Sequence, residues 1–80
     1  MRIGKFEILI ASLPDRERVV AEIFYENVQW VEISQETDEL LIQFYPHPKE
    51  DQWEFPFDEA MQALEKAKNR LIRDEKSIDV

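Results

Sequence analysis

Between Pro46 and Pro56 the apolar pattern of this chain changes period, and that switch limits the folds open to it. Ahead of Pro46, short runs of Val, Ile, Phe, Tyr and Trp are separated by small polar clusters, as in strands joined by tight turns. Beyond Pro56, apolar residues recur at steps of three and four, as on an amphipathic helix. Pro46-His47-Pro48 forbids helix or central strand at the junction, because proline locks φ and brings no N–H donor. The sequence therefore predicts an α+β domain with its sheet first and its helix second.

The β-rich half divides into strands at about 5–11, 18–25, 28–34 and 39–45. Ser12-Leu13-Pro14-Asp15 and Gln35-Glu36-Thr37-Asp38 read as turns. Glu26-Asn27 reads as a two-residue hairpin loop, since asparagine tolerates the positive φ that such a loop demands. Residues 46–55 are a loop, and a helix is expected over 56–73. Pro56 suits the first helical position. Asp58 and Glu59 near its start, with Lys68, Arg70 and Arg73 near its end, complement the helix dipole. Phe57, Ala60, Met61, Leu64, Ala67 and Leu71 form its apolar stripe. Residues 74–80 read as a frayed tail. The expected architecture is one domain, 1–80: a four-stranded antiparallel β-meander followed by one C-terminal α-helix packed on one face.

A helix can shelter only one face of such a sheet. With Tyr25 opposite Val28, an unbroken hairpin puts Ile23 opposite Trp30, and opposed residues share a face. Pairing Ile33 with Leu40 extends the reading to the last strand. One face then carries Val31, Ile33, Leu40, Ile42 and Phe44 and is assigned to the helix. The other carries Tyr25, Trp30, Glu32, Gln43 and Tyr45 and is the expected contact surface, since Trp and Tyr are enriched where proteins meet. Trp53, in the long loop, is added to it, although that loop could instead fold back and cover the face. Glu22 falls on the helix side in this register, where a carboxylate needs a partner. An edge position or a shifted register is the simpler explanation.

Charge narrows the partner. Ten basic and eighteen acidic residues give a net charge of −8. Residues 19–64 hold eleven acids and a single base, Lys49. Such a field repels phosphate backbones and anionic lipids, so neither nucleic acid nor membrane is the expected partner. A protein with a basic surface is, and Glu36, Asp38, Glu39, Glu50 and Asp51 would steer it in. An acidic surface also serves solubility with no specific partner. No apolar run reaches membrane-spanning length, and the short one near the N-terminus contains Glu7, which argues against a signal peptide. The lack of cysteine fits a reducing, cytoplasmic setting.

Signals for chemistry are weak. His47 is the only histidine and has no evident nucleophile or orienting partner. Glu50, Asp51, Glu54, Asp58 and Glu59 lack the ligand order and central glycine of a calcium loop. Neither a metal nor a cofactor is expected, and the reading is non-enzymatic. The stretch Val20–Leu71 contains Phe24-Tyr25, Trp30-Val31-Glu32-Ile33-Ser34-Gln35-Glu36, Ile42-Gln43-Phe44-Tyr45-Pro46 and Trp53-Glu54-Phe55-Pro56. It resembles small bacterial immunity proteins, which protect a cell by neutralising toxins. The resemblance implies a stoichiometric inhibitor of a toxin, often a nuclease, whose basic active site an acidic protein can occupy. The alternatives are a homodimeric structural or accessory protein and a phage-encoded inhibitor of a host defence enzyme.

Overall fold

The computed structural model describes the backbone of residues 1–78 and the side chains of residues 1–73. Its elements are β1 (Arg2–Ile3), β2 (Phe6–Ala11), β3 (Val20–Tyr25), β4 (Val28–Ser34), β5 (Leu41–Phe44) and α1 (Phe57–Ile78). The strands form one antiparallel sheet in the order β1-β2-β3-β4-β5, so the meander carries five strands and not four. The extra strand, β1, spans two residues, too few to show any period. Gly4 makes it possible: its φ of 56° turns the chain back, and a side chain there would strike the Glu59 carboxylate of α1.

The β3–β4 loop is the expected one. Glu26 and Asn27 both have positive φ, 49° and 70°, which matches the twist of the flanking strands. Tyr25 pairs with Val28 and Phe24 with Gln29. The register then shifts at a bulge between Ile23 and Phe24, and Ile23 pairs with Val31 in place of Trp30. One extra residue in β4 exchanges the faces of β3 relative to the unbroken reading. Ala21 and Ile23 therefore lie in the core, while Glu22 goes to the opposite side, the shifted register that its charge had suggested. In the last pair Ile33 meets Ile42, two residues from the expected Leu40. A slip of two leaves the faces of β5 unchanged.

α1 lies over β1, β2 and β3. Ala60, Ala63, Ala67 and Leu71 are its buried stripe, and the small alanines let it settle close to Phe6, Ile8, Ile23 and Val31. Fully burying a side chain such as Ile8, Ile23 or Leu71 contributes about 1.5–3 kcal/mol. The helix continues to Ile78, past the expected end at Arg73; the last two positions of the expected tail, Asp79 and Val80, lie outside the described residues. Among the described residues no helix is long and apolar enough to cross a membrane.

Candidate protein-binding surface

The sheet has a helix side and an open side, and the residues expected to form one contact surface are divided between them. Trp30 is a core residue, 7% exposed. Its ring packs on Phe6, Phe44 and Phe55 at centroid distances of 5.5, 5.9 and 4.7 Å. Tyr25, half-buried, joins the same cluster through Phe6 at 4.7 Å and Phe55 at 4.6 Å. The expected exposure of Trp30 is thus overturned, because the bulge admits it to the core and the returning 46–56 loop seals it with Phe55. Trp53 lies against Phe55 at 5.4 Å and donates its indole N–H to the Tyr45 carbonyl at 2.7 Å.

Glu32, Gln43 and Tyr45 do share the open side. Glu22, Glu32 and Gln43 form a row across β3, β4 and β5. Arg16, from the loop between β2 and β3, reaches over this row. Its guanidinium donates to Glu32 Oε2 at 2.7 Å and to Gln43 Oε1 at 3.0 Å. The Tyr45 hydroxyl donates to Glu32 Oε1 at 3.2 Å. Glu32 is 4% exposed, so this pairing is what makes its burial tolerable. The same loop is held at a second point, where the N–H groups of Glu17 and Arg18 donate to the Glu36 carboxylate at 2.9 and 3.1 Å. Sequence reasoning did not find Arg16, because nothing local marks an arginine whose partners lie 16 and 27 positions away.

These contacts set the electrostatics. Desolvation raises the Glu22 carboxyl pKa, the negative charge of Glu32 opposite raises it further, and a hydrogen bond from Gln29 partly offsets both. Burial raises the Tyr45 phenol, followed by the charge of Glu32 and the hydrogen bond to it. Both Glu32 carboxylate oxygens are already engaged, Oε2 by Arg16 and Oε1 by Tyr45. His47 has local work as well: its Nδ1 accepts N–H bonds from Lys49 and Glu50, each at 3.0 Å, and its ring packs on Trp53 at 4.7 Å. Among the described residues no three His, Asp or Glu side chains are placed to hold a metal ion.

The surface that sequence reasoning missed lies at the β5 edge. Leu41, Ile42 and Phe44 are all exposed, Phe44 to 60%. The alternation of Leu40, Ile42 and Phe44 had suggested a face buried under the helix, but α1 stops short of β5. Between the helix and this strand runs a groove of about 620 Å³ lined by Ile33, Leu40, Leu41, Ile42, Met61 and Leu64, with Glu65 and Lys68 on its helical rim. Of the acids expected to steer a partner, Glu36, Asp38 and Glu39 lie in the β4–β5 turn beside Leu40, whereas Glu50 and Asp51 lie in the 46–56 loop and line a separate hollow with Tyr25, Val28 and Trp53. No protein-family model, curated protein or solved structure matches this chain.

Proposed function

We propose that this protein is a non-catalytic binding domain whose contact surface is the β5 edge and the groove beside it. One observation carries the reading: an unpaired edge strand whose four residues are all exposed, bordering an apolar trough. Edge strands are normally blunted by charge, proline or a covering element. Leu41-Ile42-Gln43-Phe44 has none of these within it. A contiguous apolar patch left open marks an interaction site. The acids around it favour a basic partner by raising the encounter rate. In its most concrete form the protein is an immunity-type inhibitor that binds a basic toxin, such as a nuclease, one to one.

The test is affinity capture from the native cell extract with the wild-type chain and with Ile42→Glu. A protein held stoichiometrically by the wild type, lost with the variant and eluted by salt supports the reading. Capture that ignores both Ile42 and salt removes it. The unpaired edge also supports a second reading, a homodimer, which sedimentation over a wide concentration range distinguishes.

A further inference from the structure

The groove has the shape of a missing element. Five strands at about 4.8 Å spacing make a sheet wide enough for two helices of about 10 Å diameter side by side. α1 covers β1, β2 and β3, and the helix-side residues of β4 (Trp30, Val31 and Ile33) are already buried, so the open strip runs over β5 and the outer flank of β4. The surface of α1 tells what belongs there. Phe57, Met61, Leu64 and Lys68 follow one another at helical spacing, and Met61, Leu64 and Lys68 line the groove. The next row, Asp58, Gln62, Glu65 and Asn69, is polar throughout, and its Gln62 and Glu65 also border the groove. The helix is therefore apolar toward its own sheet and presents Met61 and Leu64 to the groove beneath a polar rim of Gln62, Glu65 and Lys68.

We infer that the groove receives an amphipathic helix of a partner protein, lying beside α1 on the same face of the sheet and carrying Lys or Arg along the flanks of its apolar stripe. This rests on the docking role of the β5 surface proposed above. Three other occupants fit less well. A second copy stacked face to face would bury the polar row of α1 without partners. A second copy paired through β5 would join only four residues a side, where a stable interface uses about 20–30. It would also leave Ile42 and Met61 uncovered, at 45% and 44% exposure. A small apolar molecule would lie in an open trough, whereas ligand sites bury about 70–90% of their occupant. The basic flanks follow from the rim. Lys68 is already engaged with Glu65 at 3.5 Å, and Glu36, Asp38 and Glu39 lie in the turn that leads into Leu40 at one end of the trough. The stretch Phe57–Lys68 corresponds to a partner segment of about 16 Å, or roughly three turns.

The test uses the full chain, labelled with 15N, and three synthetic peptides of equal length. One places Leu at helical spacing with Lys on the flanks. A second has the same composition with Leu at alternate positions. A third replaces the Lys of the first by Glu. The first should bind at least about tenfold more tightly than either other, a difference of about 1.4 kcal/mol. Its binding should perturb Ile33, Ile42, Met61 and Leu64 and weaken with salt. Ile42→Glu and Met61→Glu, both at exposed positions, should remove it without changing the melting temperature. Tighter binding of the alternating peptide, with new exchange protection at the β5 amides, would replace the helix by an added strand. Failure of all three peptides overturns the inference, as does a dimer that Ile42→Glu dissolves. A native partner lost with Ile42→Glu but protecting the β5 amides would leave the docking role standing and remove only the helix. Native capture indifferent to Ile42 removes both.

Discussion

Replacing Trp30 by alanine should destabilise the whole domain and not merely a binding surface. An aromatic side chain of this size buries about 150–250 Å², and only 7% of Trp30 remains exposed. At about 25 cal/mol per Å², the area lost from water is worth about 4–6 kcal/mol, an upper figure for a chain compared with an extended unfolded state. Large-to-small changes of this kind in cores cost about 3–5 kcal/mol. A domain of 80 residues has about 4–12 kcal/mol in total. Trp30→Ala should thus consume about a quarter or more of the stability, and Trp30→Phe should restore part of it by refilling the space between Phe6 and Phe55. Urea denaturation followed by circular dichroism reads both variants. The double variant with Phe55→Ala should cost less than the two single changes added together, because the rings share a contact at 4.7 Å. A loss below about 1 kcal/mol for Trp30→Ala, the range typical of ordinary point changes, would refute the packing of this residue against the returning loop.

Three further outcomes are expected. Arg16→Ala should cost about 3 kcal/mol, since it leaves the buried Glu32 carboxylate without its cation; Glu32→Gln in the same background should recover part of the loss, as denaturation midpoints will show. Glu22 has a raised pKa in the folded chain, so the stability it contributes is complete below the unfolded value near 4.5 and is lost as pH rises through the raised folded value. Glu22→Gln should therefore be more stable than the wild type at neutral pH, with the gain disappearing in acid; a gain that persists at low pH would contradict this. Glu26→Asn should gain up to about 1 kcal/mol, because Glu26 is held at a φ of 49° that asparagine accepts more readily. Thermal melts at one pH suffice to check it.

The order of elements was legible in the sequence because each junction carries a residue with one physical meaning. Asn27 marked the hairpin, Pro56 the helix start, and the change of period the passage from sheet to helix. The faces of β5 and of β4 beyond Trp30 were also legible, since alternation survives a register slip of two. What could not be read was the bulge at Ile23/Phe24. A single unpaired residue leaves no trace in composition, yet it turns Trp30 from surface to core and sends Glu22 the other way. Glu32, Gln43 and Tyr45 were correctly grouped, although the guanidinium that organises them comes from a distant loop. The open groove escaped notice for a different reason. Apolar periodicity shows which residues would be buried by a neighbour, not whether the chain itself supplies one.

The reach of Arg16 across the sheet has a kinetic corollary. An outermost ribbon of four residues, joined to the rest along one side only, would ordinarily open and reclose many times before its interior neighbours do. Here Gln43 accepts a hydrogen bond from Arg16, a side chain anchored two strands away, so part of the ordering of the rim should accompany folding and not await a visitor. Complexes formed at that rim should therefore assemble with little loss of entropy on this protein's side, and cutting the clasp should slow their formation even where every touching atom is kept.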